Sequence, residues 1–209
     1  SRRCPGPPDR GRQLAALLAQ SRGEELVRDI GHVDLVVGTQ KFHRVAEYVD
    51  EIIQRKRALR ERLMDDERVS IVDVDEEEGS QETIREHVLK EKQATAFVSI
   101  MQGCNKVCSF CIVPHVRGRE VSRPSAKILG EIDSLARHGV KEVMLLGQNV
   151  NSYGKLTPGE LSFAELLAQV DRIDGLRRIR FTTSHPQDLS PELIEDFATL
   201  QNLCEHLHL

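Results

Sequence analysis

Gly103-Cys104-Asn105-Lys106-Val107-Cys108-Ser109-Phe110-Cys111 decides how the rest of this chain is read, because three thiols fall within nine residues directly after the apolar run Ala96-Phe97-Val98-Ser99-Ile100-Met101. The spacing is C-x3-C-x2-C, with no fourth cysteine nearby and no histidine at finger-like spacing. A structural zinc site takes four protein ligands, so three thiolates leave one coordination position open. A four-iron cluster is normally held by four thiolates; held by three, it leaves one iron to take a small molecule. Two other readings compete for the same spacing: a zinc site completed from elsewhere in the chain, and cysteines that cluster without function.

The 209 residues are 39% apolar and 30% charged, an ordinary globular composition with room for one large domain or two small ones. No window approaches the roughly eighteen consecutive apolar residues of a membrane span, and the basic N-terminus is followed by no apolar signal region. A cytoplasmic protein is expected. Five cysteines, three of them in one loop, do not make a disulfide framework, and a reducing compartment suits thiolates kept for metal. With a net charge of -4, any basic footprint for nucleic acid must be local.

Outward from the cysteines, the N-terminal side starts with a Pro-, Gly- and Arg-rich lead-in, residues 1–11, expected to be disordered. Leu14, Leu17, Leu18, Leu26, Val27 and Ile30 have helical spacing, broken near Ser21-Arg22-Gly23. Val33 to Gly38 reads as a buried strand, and Val45 to Ile53 as a helix with Val45, Val49 and Ile52 on one face. Arg55 to Lys92 runs from basic to acidic with only weak apolar alternation at Val69, Ile71, Val72 and Val74; it reads as a connection between domains, its consecutive carboxylates at Glu76, Glu77 and Glu78 a solvated loop.

On the C-terminal side, Ser125 is expected to cap a helix bearing Ile128, Ile132 and Leu135 and ending at Gly139. Glu142 to Leu146 is a buried strand running into Gly147. Ser162 and Glu165 form a capping box, Arg178 to Thr182 is the next strand, and Ser190-Pro191 opens a helix with cap and first-turn proline. His206-Leu207-His208-Leu209 alternates like the start of a further strand, at which the chain stops. On such a strand Cys204, His206 and His208 share a face, a possible zinc set, but one short strand directs three adjacent side chains at one ion poorly. Strands alternating with helices at this period imply parallel βαβ units: an α/β fold containing part of a parallel (βα) barrel.

Several segments carry a resemblance. Ala96 to Lys106, Ile112-Val113-Pro114 and Arg117-Gly118-Arg119-Glu120 resemble the radical S-adenosylmethionine (SAM) methylthiotransferases. Leu145-Leu146-Gly147-Gln148-Asn149-Val150-Asn151-Ser152-Tyr153-Gly154 and Arg178 to Pro186 are similar to the MiaB-type branch, which places a methylthio group on N6-isopentenyladenosine beside the tRNA anticodon. The resemblance covers about Gln20 to Leu209. It implies a partial methylthiotransferase N-terminal domain over residues 1–56, a linker over 57–89 and a radical SAM core over 90–209, incomplete at its C-terminal end. Cys104, Cys108 and Cys111 are then the ligands of a 4Fe-4S cluster whose fourth iron chelates SAM. Phe110, Gly147, Gln148 and Ser184 fall at cofactor-binding positions, and no catalytic side chain is assigned.

The resemblance further implies one-electron cleavage of SAM to a deoxyadenosyl radical, with flavodoxin or ferredoxin as reductant and tRNA as substrate, in a monomer without membrane attachment. His185 is weighed between a pocket and a turn, and Arg117 and Arg119 between SAM or RNA phosphate and solvent. The family's N-terminal cysteines, which hold an auxiliary 4Fe-4S cluster, have no counterpart here. Leu17 stands where the third belongs, and Cys4 lies out of context. An auxiliary cluster is therefore not carried over, and SAM cleavage without methylthiolation is the expectation for the chain alone. The alternatives are a radical SAM methylthiotransferase acting on another tRNA base or a ribosomal protein, and an inactive iron–sulfur-binding fragment.

Overall fold

Val33-Asp34-Leu35-Val36-Val37 is apolar at four of five positions, the composition of a strand covered on both faces. The computed structural model describes residues 12–15, 17–61, 68–75 and 93–209. The lead-in with Cys4 and the carboxylates of Glu76, Glu77 and Glu78 lie outside these residues. The chain divides into two units, Ser1–Ser80 and Gln81–Leu209.

In the first unit the elements are β1 (Arg12–Ala15), α1 (Leu17–Asp29), β2 (Val33–Val37), α2 (Val45–Glu61) and β3 (Ile71–Asp73). The strands form a parallel sheet in the order β1-β2-β3. Central β2 sets Leu35 and Val37 against Tyr48 and Ile52 of α2, while Val33 and Val36 pack with Ala19 and Leu26 of α1. The expected helix through Leu14 begins instead at Leu17, because Arg12–Ala15 pairs with β2; a four-residue edge strand carries too little pattern to outweigh adjoining helical spacing. The expected break is present as non-helical backbone at Gly23, with φ 35° and ψ -113°. α2 extends to Glu61, and Ile71–Asp73, inside the stretch read as a connection, is the third strand. Gln20 ties the layers: its Oε1 accepts from Thr39 N at 2.9 Å and its Nε2 donates to Val74 O.

The second unit contains β4 (Thr95–Ser99), β5 (Met101–Gln102), α3 (Val113–Arg117), β6 (Val121–Ser122), α4 (Ser125–Arg137), β7 (Glu142–Leu146), α5 (Phe163–Asp171), β8 (Arg178–Phe181) and α6 (Pro191–Thr199). β4, β7 and β8 lie side by side in chain order, all parallel, and Leu203 bridges Ile179 in the same sense beyond them. This is the winding of a (βα) barrel, here as a wedge of it. One sheet face is a core of Ala96, Val98, Val143, Leu145, Ile179 and Phe181 under α4 and α5. The Phe163 ring meets Phe181 edge-on at 5.0 Å. Alternate positions on the other face are open: Phe97 is half-exposed and Glu142 pairs with Arg178 and Arg180.

The capping box at Ser162 and Glu165 and the Ser190 cap are both formed. Ser125 is not a cap. It is the first residue of α4, and its backbone N–H donates at 3.1 Å to Oε2 of Glu160, a carboxylate 35 residues away that no local pattern reveals. The expected strand at His206–Leu209 is also corrected. Pairing with β8 is limited to the bridge at Leu203, after which only Ser184 N returns, to His208 O at 3.1 Å. Cys204, His206 and His208 therefore share no strand face, since the alternation that would align them needs an extended ladder.

Arg123 and Glu131 form a buried ion pair at 2.8 Å. Glu131→Ala leaves a buried guanidinium without its counter-ion and is expected to destabilise the second unit by about 3 kcal/mol in denaturant unfolding. Asp196 behaves oppositely. Burial, then the negative charges of Glu195 and Asp171, push its carboxyl up from 3.8 to about 6, and its Oδ2 has no partner. The folded state keeps a proton that the unfolded chain has already released, so stability falls as pH rises from 3.8 towards about 6. Asp196→Asn is expected to flatten that slope and to be the more stable protein at neutral pH, read from urea midpoints across the window.

Candidate metal centre

Immediately after β4 the chain makes a long excursion and returns. β5 pairs antiparallel with β6, and Arg123 N donates to Ile100 O at 2.8 Å, so the segment 103–120 is a loop closed at its base. Its first four residues are each tethered. Gly103 N donates to Gln148 Oε1 at 2.7 Å, and Cys104 N to Gly118 O at 3.3 Å. Asn105 Oδ1 accepts from Glu120 N at 3.1 Å, and Lys106 Nζ reaches Asp188 Oδ2 at 2.9 Å. Gly103 has φ 78°, and a Cβ there would stand 2.0 Å from Arg119 O, so no other residue fits. From Val107 to Cys111 the loop is exposed, Val107 and Phe110 almost completely, with one internal bond from Cys111 N to Cys108 O at 3.1 Å.

The three thiols are thus one anchored and two free. Cys104 is buried and borders a hollow of about 310 Å³ shared with Asn105, Pro114, Gly118 and Arg119. Burial pushes its thiol up, the Lys106 N–H directed at its sulfur at 3.5 Å works against this, and the charges of Glu120, Cys111 and Cys108 add to the rise. All three are free thiols, as is Cys204. The donor chemistry fits an iron–sulfur cluster: three thiols on one loop, two of them on the half without tertiary tethers. Their side chains are not drawn to a common point, and among the described residues no three His, Cys, Asp or Glu groups are arranged as ligands.

The remaining sequence-derived positions distribute as follows. Phe110 is fully exposed. Gly147 follows β7, and a Cβ there would meet Met101 Cγ at 2.4 Å, so a larger residue requires the buried Met101 side chain to shift. Gln148 spends its side-chain oxygen on the cysteine loop. Ser184 follows β8 with its Oγ buried and unpartnered. His185 has a turn role: its Nδ1 accepts from Gln187 N at 3.2 Å, and its backbone N and O both bond the Asn151 amide at 2.9 Å. Arg117 is half-buried and burial lowers its pKa, with no carboxylate paired to it among the described residues, whereas Arg119 is exposed.

Sequence reasoning missed the polar cluster beneath the loop. Asp188 is 7% exposed and receives Asn149 Nδ2 at 2.7 Å and Lys155 Nζ at 2.9 Å as well as Lys106. Burial alone would raise its carboxyl; the hydrogen bonds from Lys106, Lys155 and Asn149 prevail and hold it well below the carboxylate range. Glu120 is displaced upward, by burial first, against a hydrogen bond from Ser152. Thr183 has φ 70°, a left-handed conformation that costs a β-branched residue about 1–3 kcal/mol, and its carbonyl accepts from Val150 N at 2.9 Å. No local signal marks these residues; their partners come from different strand ends.

Residues 98–209 match the radical SAM superfamily. The chain is 50% identical over 197 residues, 94% of its length, to a tRNA-2-methylthio-N(6)-dimethylallyladenosine synthase of Geobacter metallireducens, of which it spans 42%. It is 46% identical over 203 residues to one of Akkermansia muciniphila, covering 93% of this chain and 44% of that protein. The chain therefore spans under half the length of the curated relatives it matches. A solved radical S-adenosylmethionine methyltransferase from Kitasatospora setae overlaps 54% of this chain and 21% of its own, at 21% identity and TM-score 0.42.

Two glycines separate loop docking from backbone propensity. Gly103→Ala is expected to dislodge the cysteine loop and lower stability by about 2–4 kcal/mol, because the obstructing atoms are backbone. Gly130→Ala, in the middle of α4 with open space around the added methyl, is expected to raise stability by up to about 1 kcal/mol. Thermal denaturation of both variants checks the pair.

Proposed function

The chain belongs to the radical SAM superfamily, and we propose that it forms the central part of a tRNA methylthiotransferase that converts N6-isopentenyladenosine, next to the anticodon, to its 2-methylthio derivative. The observation that carries this reading is the near-half identity to synthases of that name along 94% of the chain. In it, Cys104, Cys108 and Cys111 hold a 4Fe-4S cluster, which when bound supplies one-electron reductive cleavage of SAM.

The protein's own contribution is placement. Gln148, by accepting from Gly103 N, fixes the start of the cysteine loop against the end of β7. Gly147, Gln148 and the buried, unpartnered Ser184 hydroxyl stand at the ends of neighbouring strands β7 and β8, the end of a parallel (βα) barrel where ligands bind. Phe110, exposed beside Cys111, is an apolar cover for the cofactor, and half-buried Arg117 offers a cation to RNA phosphate. No helix among the described residues is long and apolar enough to cross a membrane. A cytoplasmic monomer reduced by flavodoxin or ferredoxin is the setting proposed.

Anaerobic reconstitution with iron and sulfide, followed by electron paramagnetic resonance of the reduced protein, tests the reading. About four irons per chain, a signal altered by SAM and SAM-dependent release of deoxyadenosine are expected, all lost in the Cys104→Ala variant. Stoichiometric zinc in place of iron, or a cluster indifferent to SAM, would overturn it.

A further inference from the structure

We propose that Asp188 is the positioning residue of the cysteine loop, holding Lys106 so that the ligand-bearing segment stays docked on the ends of β7 and β8. The inference rests on the reading of Cys104, Cys108 and Cys111 as cluster ligands.

Lys106 sits midway between the first two cysteines, so its backbone cannot move without carrying both. It is also the last tethered residue before the exposed half of the loop, and its tether is the only one of the four made by a charged side chain. The socket that receives it is built without the loop. Asp188 closes the short turn Pro186–Asp188, with its N–H on His185 O at 3.0 Å, and the His185 backbone is held on both sides by Asn151. Asn149, from the segment after β7, donates to the same carboxylate oxygen that Lys106 reaches. Lys155 occupies the other oxygen at 2.9 Å.

One carboxylate thus serves two ammonium groups. Removing Lys106 leaves Asp188 with Lys155 and Asn149, so the socket survives. Removing the Asp188 charge leaves two lysines converging on one point without a counter-charge, and Lys106, three-quarters covered, is the one whose departure frees the loop.

Hydrogen exchange of the metal-free protein tests this directly. Asp188→Asn and Lys106→Met are each expected to speed exchange of the bonded loop amides of Gly103, Cys104 and Glu120 by about tenfold or more, while amides of β4, β7 and β8 stay protected. The double variant is expected to be no faster than either single one, because both remove the same tether. Lys155→Met, whose ammonium pairs with Asp188 and not with Lys106 or a cysteine, is expected to leave loop exchange within about twofold of the parent. If Asp188→Asn fails to fold, Lys106→Met carries the test alone. Loop exchange unchanged in Lys106→Met, or equally accelerated by Lys155→Met, overturns the proposal.

In reconstituted protein, Lys106→Met is expected to lose iron to a chelator several-fold faster and to show a weakened SAM effect on the resonance signal. Retention equal to the parent overturns the positioning role. A parent protein that assembles no cluster overturns the proposed function instead, leaving the exchange result to decide Asp188 separately.

Discussion

Arg123 makes the bonds on which the second unit depends. Its backbone N–H meets Ile100 O, its Nη1 reaches Ser99 O at 2.5 Å, its Nη2 pairs with Glu131, and its own carbonyl accepts from the buried Tyr153 hydroxyl at 2.7 Å. The end of β4, the middle of α4 and the segment after β7 are joined through one side chain and its peptide unit. The eighteen-residue excursion 103–120 begins and ends within a few residues of this node. A guanidinium holds a carbonyl and a carboxylate in the fixed directions of a rigid planar fork, where a lysine would offer a point charge on a flexible stem.

Given that closure, the cysteine loop divides by tethering into two halves with different physical duties. The first half is fixed by backbone contacts, two amide side chains and one ion pair, so Cys104 is set in place by the fold itself. The second half bears Cys108, Phe110 and Cys111 in solvent. An exposed phenylalanine between two free thiols is the feature on which the proposed cofactor cover rests. The pair Asn105-Lys106, which reads as mere spacing between cysteines, is where the first half of the loop is tied down.

Polar groups beneath the loop are satisfied from several directions, as buried charge requires. Asp188 in the turn after β8, Asn149 and Lys155 after β7, and Lys106 between the cysteines form one network, with Glu120 and Ser152 adjoining it. Two polar atoms stay orphaned there, Asn149 Oδ1 and Ser184 Oγ, and both belong to the strand ends that face the loop. Unsatisfied buried groups and the left-handed Thr183 are features that packing alone does not favour, and they gather where a ligand would complete them.

The sequence by itself determined the alternation of strands and helices, the parallel α/β class, the caps at Ser162 and Ser190, and the three-thiol loop, because periodicity, capping chemistry and short-range spacing are local properties. It misread what depends on distant partners. β1 and β3 are too short to carry a pattern and exist because β2 lies between them. Ser125 yielded its cap to Glu160, and His206–Leu209 did not extend the bridge at Leu203 into a strand. Only the tertiary structure decided that Gln148 clamps Gly103, that His185 closes a turn, and that Asp188 receives Lys106 from 82 positions earlier in the chain. These are meetings between side chains from different strand ends, brought together when the sheet buries its apolar face, and no window of sequence contains both partners.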